Sequence, residues 1–275
     1  MSYPHFPPEI ENIIFTNALA IKLRSSKGAA NLMLVAKRVH TWLISLSMRT
    51  IAIRAVPHAQ KYPRRWSTEA LKKYGKYTRN LFLWITSGHN DSITPDDYLS
   101  WCPNVTNLVL WTDQEYFPRI HLASLPLTHL STNLEDISDM TPELKQLFSK
   151  ITHLEVLNCI SSSHDFFRLQ PFTSITRLAV PSASSKKIPP MLFVEHPTLE
   201  VFVFADSGDG LDTPLRLEDN FDYKLHDPRI VELTCEYENE IDEWLLDVET
   251  GLGLWGLADD VAQQRKVLKM LLQQL

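Results

Sequence analysis

The stretch ITHLEVLNC, residues 151–159, decides the fold. It places apolar side chains at Ile151, Leu154 and Val156, with polar spacers between them. The same order of apolar residues and spacers recurs, with Thr78 and Thr132 as weak substitutes, at residues 78–83, 105–110, 127–132, 175–180, 199–204 and 230–235. The central residues of the seven segments (81, 108, 130, 154, 178, 202 and 233) are 27, 22, 24, 24, 24 and 31 positions apart. This period indicates one supersecondary unit stacked on itself, because a single unit cannot bury its own apolar face.

Residues 151–159 resemble a leucine-rich repeat as far as its Asn/Cys position, where Cys159 stands. The other six segments resemble degenerate copies of that repeat. The resemblance implies an α/β solenoid with a parallel sheet. The alternative is an irregular α/β domain with fortuitous spacing. Stacked repeats form extended surfaces and seldom form catalytic pockets, so we expect a binding protein and not an enzyme.

Composition narrows the class of protein. The 275 residues are 44% apolar and 22% charged, which is typical of a globular chain. The start has no signal-peptide pattern, and no apolar run approaches the roughly 18 residues of a membrane span, so no membrane partner is expected. Three cysteines without a C-x-x-C pair fit a reducing compartment, and neither a metal site nor a cofactor is predicted. We therefore expect a cytoplasmic or nuclear protein.

Charge divides the chain near residue 80. Residues 1–80 contain 14 Lys and Arg against 3 Asp and Glu, whereas residues 81–275 contain 13 against 30. Such asymmetry indicates different partners for the two parts. We predict a helical module at 1–54, a basic linker or helix at 55–77, the repeat solenoid at 78–236 and a helical C-terminal cap at 237–275.

The first fifty residues predict two amphipathic helices and an extended exit. FPPEI, residues 6–10, can begin a helix, Asn31 can cap a second one, and residues 49–53 read as a short extended segment. Together with Ile14-Phe15, LMLVAKRV at 32–39 and Trp42, these segments resemble an F-box. Two positions depart from that family's pattern, because Phe6 replaces a leucine and Ala36 stands where many members have Ser or Cys.

A second resemblance lies at the other end of the chain. Residues 242–244 (DEW), Gly251, Leu254-Trp255, Ala258 and 265–266 (RK) are similar to the ending of F-box-like proteins of mushroom-forming fungi. The two resemblances imply a small three-helix F-box-like module, a divergent solenoid and a helical tail. They also imply a substrate receptor of an SCF-type ubiquitin ligase, whose F-box docks on a Skp-type adaptor bound to a cullin. Its solenoid would present a protein substrate for ubiquitin-dependent degradation.

The implied adaptor contact consists of helix-borne apolar residues and a leading proline. The residues are Pro7, Ile10, Ile14, Leu34, Val35 and Trp42. Two alternatives stay open at this point. The N-terminal helices can simply seal the first repeat, since terminal repeats need covering. The whole chain can also be a repeat scaffold that never joins a ligase.

The predicted substrate surface is the concave face of the solenoid. In each strand the residues beside the central one face away from the repeat core. The predicted substrate-binding residues are Phe82, Trp84, Val109, Trp111, His153, Glu155 and Arg177. Trp84 and Trp111 fall in one column on adjacent strands, about 4.8 Å apart, and exposed aromatic residues are frequent interface anchors. The alternative is that the tail or a loop covers these residues.

Two charged stretches suggest further partners. Residues 195–249 hold 17 acidic residues against 3 basic ones, with Glu236 near the last strand, and can steer a basic partner or simply keep the protein in solution. Residues 61–79 hold seven basic residues with interleaved aromatics, the ingredients of an RNA-binding module. A helix that packs its aromatics and exposes its cations is the alternative, and we expect no nucleic-acid partner.

Two features of the sequence match catalytic or cofactor-binding motifs only in part. GLGLWG at 251–256 is a literal G-x-G-x-x-G, yet an acidic helix precedes it and only 19 residues follow, so a dinucleotide-binding unit cannot be completed. We predict a glycine-rich joint between two helices instead. Cys159 and His164 are close in sequence, but the repeat pattern gives Cys159 a structural position. No catalytic residues are predicted.

Overall fold

One parallel sheet organises the molecule. The computed structural model describes residues 7–22, 31–35, 37–55, 67–85, 93–112, 117–134, 140–158, 168–181, 191–207, 227–235 and 240–272. The sheet has eight strands in sequence order, all parallel to their neighbours. They are β1 (Thr50–Ala55), β2 (Asn80–Ile85), β3 (Asn107–Thr112), β4 (His129–Thr132), β5 (His153–Val156), β6 (Arg177–Pro181), β7 (Val201–Ser207) and β8 (Ile230–Cys235). The predicted α/β fold with a parallel, solenoid-like sheet is confirmed.

Helices precede the sheet, connect its strands and follow it. The first two are α1 (Pro8–Lys22) and α2 (Lys37–Ser47). The connections contain α3 (Thr68–Tyr74) with a 3-10 turn (Gly75–Tyr77), α4 (Pro95–Trp101), α5 (Arg119–Leu122), α6 (Pro142–Phe148) and α7 (Met191–Glu195). The last two are α8 (Glu240–Thr250) and α9 (Leu254–Leu272).

Hydroxyl side chains fix where three of the connecting helices begin. Ser67, Thr94 and Thr141 each accept a hydrogen bond from the backbone N–H three residues later. At α4, the Asp97 carboxylate also accepts from the backbone N–H of Thr94, which lowers the pKa of Asp97. Capping of this kind satisfies backbone donors that have no partner within the helix.

The core lies between the sheet and the connecting helices. The strand register aligns eight apolar residues in one row across the sheet: Ile51, Leu81, Leu108, Leu130, Leu154, Leu178, Phe202 and Ile230. All eight are buried in one cluster with residues of α3 to α7 such as Leu71, Leu99 and Leu144. Every repeat therefore contributes the same side-chain position to a continuous core.

A threonine ladder runs beside this row. The side chains of Thr106, Thr128, Thr152 and Thr176 donate to the backbone carbonyls of Arg79, Thr106, Thr128 and Thr152, at 3.1 to 3.3 Å. Each hydroxyl thus links one repeat to the one before it. The recurring threonine two residues before the central residue is explained by this bond.

The two ends of the sheet differ from the sequence prediction. The extended exit predicted at residues 49–53 overlaps β1, which pairs with β2 as a strand of the main sheet. In β8, Ile230 and not Leu233 pairs with Phe202, so the predicted register of the last repeat is wrong by three residues. Ile230 and Leu233 both fit the apolar pattern, and the sheet selects Ile230.

The C-terminal helices lie on the opposite face of the sheet. This face, called the concave face below, carries Phe82, Val109, Ser131, Glu155, Ala179 and Val203. Ile241 of α8 packs on Phe82 and Val109, and Ala258 and Ala262 of α9 pack on β6 to β8. Small side chains let α9 approach the sheet closely. α8 and α9 together span most of residues 240–272, and they cover a face of the sheet.

Candidate functional site

The predicted substrate surface is largely occupied by the protein's own C-terminal helices. Phe82 and Val109 are only 2% and 4% exposed. The centroid of the Phe82 ring lies 5.5 Å from that of the Trp244 ring. Phe82 and Val109 both pack against Ile241 of α8. The expectation that Phe82 and Val109 are exposed is therefore wrong, because α8 covers them.

Trp84 and Trp111 are half-buried. Their rings stack in parallel with centroids 4.6 Å apart, as the predicted column requires. The Arg54 guanidinium lies 4.0 Å from the Trp84 ring centroid and extends the stack onto β1. A cation over an aromatic face is attracted by the ring electrons. The three side chains form a continuous plate at the carboxyl ends of β1, β2 and β3.

His153 and Arg177 belong to a row of basic side chains in register on β4, β5 and β6. The rings of His129 and His153 stack 3.9 Å apart, and Trp255 of α9 meets the His153 ring edge-on at 5.5 Å. Arg177 forms a bidentate ion pair with Asp259 of α9, with N···O distances of 2.9 Å at both nitrogens. The predicted binding residues His153 and Arg177 thus hold α9.

The two histidines are held in the neutral form. The hydroxyls of Thr128 and Thr152 contact Nδ1 of His129 and His153 at 2.9 Å. Because both hydroxyls also donate to a carbonyl of the threonine ladder, they accept at Nδ1, which assigns the proton to that nitrogen. Burial, then His129 and Arg177, lowers the pKa of His153 to about 3, and burial also lowers the pKa of His129.

We expect acid to destabilise the fold through His153. An unfolded histidine titrates near 6.5, so below that pH the unfolded chain binds a proton that folded His153 refuses. The contribution of neutral His153 to the free energy of unfolding is therefore complete above about pH 6.5, and it is lost progressively as the pH falls toward 3. Between pH 7 and pH 5 we expect the free energy of unfolding to fall by about 2 kcal/mol from this residue.

Urea unfolding of the unaltered chain and of His153→Gln, repeated at both pH values, measures this loss. His153→Gln should lose less stability between pH 7 and pH 5 than the unaltered chain. Equal losses in the two proteins would show that His153 is not held neutral.

The segment GLGLWG forms the joint between α8 and α9, as predicted. Gly251 ends α8 with φ at +67°, in the left-handed region that favours glycine. A Cβ on Gly253 would lie 2.2 Å from Asp247 Cβ, and one on Gly256 would lie 1.7 Å from the backbone oxygen of Gly251. Backbone N–H groups of Trp255, Gly256 and Gly253 donate to the Asp247 side chain, although burial raises the pKa of that carboxyl. The joint therefore locks the turn between the two helices.

A cavity of about 220 Å³ remains between the concave face and these helices. Its walls include Phe82, Trp111, Trp244 and Trp255, and Glu155 lines it from β5. Ser131 donates a hydrogen bond of 2.6 Å to one Glu155 oxygen. Sequence reasoning selected Glu155 as an exposed residue, whereas the structure places it in the wall of this cavity.

The predicted adaptor residues lie mostly at the surface. Ile10, Ile14, Leu34 and Val35 are exposed large apolar side chains, and Pro7 is exposed as well. Trp42 instead lies half-buried in a small cluster with Phe15, Leu32, Met33, Val39 and Leu43. Ile13 was omitted from the predicted set but is 57% exposed, and its spacing of three from Ile10 on α1 is the signal that identifies it.

The described part of the basic stretch 61–79 packs as a helix against the sheet. Tyr74 and Tyr77 pack against the main core. Lys72, Lys73 and Lys76 lie about 5 Å from the ring centroids of Trp101, Tyr74 and Tyr77. These rings are engaged in packing and in cation contacts, as the alternative to RNA binding required. Lys61, Arg64 and Arg65 lie outside the described residues.

The described part of the chain contains one free cysteine, Cys102, which is buried. Burial raises the pKa of the Cys102 thiol to about 11, so at neutral pH this side chain is a protonated core residue. Within the described ranges no cluster of His, Cys, Asp and Glu fits a metal ion, and no helix is long and apolar enough to cross a membrane. Cys159, His164 and Glu236 lie outside the described residues.

No protein-family model matches the chain, and no curated protein matches it.

Proposed function

We propose that this protein is the substrate-recognition subunit of an SCF-type ubiquitin ligase that acts in the cytoplasm or nucleus. In this proposal the N-terminal module, an F-box, binds a Skp-type adaptor on a cullin. The divergent leucine-rich-repeat solenoid binds a protein substrate. The ubiquitin chemistry belongs to the partner enzymes.

One observation carries the proposal: a concentrated set of exposed apolar side chains at the N-terminal module. Ile10, Ile13 and Ile14 project from adjacent positions of α1, and they are 43%, 57% and 47% exposed. Leu34 and Val35, which lie three and two residues before the start of α2, are 82% and 61% exposed. Helices that leave such residues in water are typical of surfaces that dock on another protein.

The position of α2 argues against the alternative that the N-terminal helices serve only to cover the first repeat. Ile44 of α2 and Met48 after it join the main core and cover the first strand. On its other side α2 packs against α1, where Arg38 donates to Glu11 at 2.7 Å. α2 therefore covers the N-terminal end of the sheet. The exposed isoleucines of α1 take no part in that contact.

The substrate part of the proposal is narrower than the sequence prediction. α8 and α9 pack over Phe82, Val109 and the basic row, whereas Trp84 and Trp111 keep partial exposure and stack with Arg54 at the carboxyl ends of β1 to β3. Tryptophan and arginine are among the residue types that dominate binding energy at interfaces. We assign the protein substrate to this plate.

The test measures binding of the full chain to a purified Skp-type adaptor. Ile14→Asp combined with Leu34→Asp should weaken that binding at least tenfold, because charges are excluded from an apolar groove. The matched control is Ile120→Asp combined with Val194→Asp. These residues are 80% and 78% exposed on the connecting helices, and their replacement should leave adaptor binding unchanged.

Two results would contradict the proposal. Failure of the unaltered chain to bind the adaptor would favour the second candidate, a repeat scaffold outside any ligase. Equal losses in the two double variants would show that the apolar surface of α1 is not the docking site.

A further inference from the structure

The cavity under the C-terminal helices has the wall of a ligand site. Four aromatic side chains, Phe82, Trp111, Trp244 and Trp255, line it from both the sheet and the helices. Its volume of about 220 Å³ exceeds the roughly 150 Å³ of an apolar cavity that accommodates benzene. One ring with a short arm fits this space.

The charges of the wall have one sign. Glu155 lines the cavity, and so does Asp247, whose carboxyl receives the N–H groups that begin α9. No Lys or Arg lines the cavity among the residues that the structure describes. His129 and His153 complete this side without a positive charge, since both are held neutral. An ammonium group fits such a wall, because it pairs with a carboxylate and is attracted to aromatic faces.

We propose that this cavity binds a compact cationic amine with an aromatic or apolar body. The ammonium group pairs with Glu155, and the body lies between the aromatic walls. Ser131 holds the Glu155 carboxylate through its 2.6 Å hydrogen bond and is a positioning residue. The site is independent of ligase assembly.

Three probes of one shape test the charge preference on the unaltered full chain. Tyramine, tyrosol and 4-hydroxyphenylacetate share a phenol and a short arm that ends in a cation, a neutral hydroxyl or an anion. Tyramine should bind at least tenfold more tightly than tyrosol in calorimetry, and the anion should bind most weakly. Equal affinities, preference for the anion, or no binding of tyramine at millimolar concentration would overturn the proposal.

A variant and a spectroscopic signal locate the site. Glu155→Gln keeps the shape and the contact to Ser131, and should reduce the preference for tyramine over tyrosol to less than threefold. The matched control Glu200→Gln, at an exposed glutamate before β7, should keep the tenfold preference. Tyramine should also shift the indole N–H resonances of Trp111, Trp244 and Trp255 in the unaltered chain. A full preference in Glu155→Gln, or shifts confined to other tryptophans, would contradict the assignment.

Discussion

Phe82→Ala is expected to lower the free energy of unfolding by about 3–5 kcal/mol, the usual cost of deleting a buried aromatic side chain. Phe82 is on the face of β2 that a simple solenoid would leave open. Here it is 2% exposed, since Ile241 and Trp244 of α8 lie over it. Urea unfolding of both proteins, followed by far-ultraviolet circular dichroism, gives the difference.

The control is Ile120→Ala, a large apolar residue that is 80% exposed on α5. Surface substitutions of this kind change stability by about 0.5 kcal/mol or less. A loss below about 1 kcal/mol for Phe82→Ala would mean that α8 does not cover the concave face in solution. The predicted substrate surface would then be open.

Leu154→Ala is expected to cost about 2–5 kcal/mol, because it removes a fully buried side chain from the middle of the repeat core. Leu154 pairs with Leu130 on one side and Leu178 on the other, and all three are at most 1% exposed. The void left by the missing side chain would weaken the packing of β5 against β4 and β6. A single urea transition shifted to lower concentration, at an unchanged slope, is the expected observation.

Val194→Ala, at a residue 78% exposed on α7, serves as the control and should unfold like the unaltered chain. Two resolved transitions in Leu154→Ala would show that the repeats on either side of β5 unfold separately. A shift as small as that of the control would contradict the burial of this row.

The sheet was predictable because its pattern is local. Each repeat carries its own apolar triplet, so the strands, their order and six of the aligned core residues follow from spacing alone. β1 escaped prediction because residues 50–55 contain only Ile51 and Ile53 as strong signals and follow directly on a helix. The shift in β8 arose because Ile230 and Leu233 both satisfy the pattern, and only pairing with β7 distinguishes them.

Coverage of the concave face by the tail was one of two alternatives that the sequence left open, and the pattern of one strand signalled it. β7 reads VFVF at 201–204, apolar on both faces, and a strand of that kind is buried on both sides. Ala258 and Ala262, four residues apart on α9, supply the small side chains that let a helix lie on Val201 and Val203. Which helix covers which strand depends on long-range packing, and no local pattern encodes it.

The candidate sites, too, were predictable where they depend on a local pattern and unpredictable where they depend on long-range packing. Exposed Ile10, Ile14, Leu34 and Val35 follow from the amphipathic pattern of the N-terminal helices. Glu155 was selected as a surface residue, and its place in a cavity with Trp244 and Trp255 depends on residues almost a hundred positions away. Its chemistry therefore became visible only when the sheet and the C-terminal helices were placed together.

The most direct test of the proposed function is hydrogen exchange of the full chain with and without a purified Skp-type adaptor. The proposal predicts slower exchange in α1 and in residues 31–47 on adaptor binding, with the amides of β2 to β8 unchanged. Unchanged exchange in α1, or protection confined to the sheet and the C-terminal helices, would contradict it.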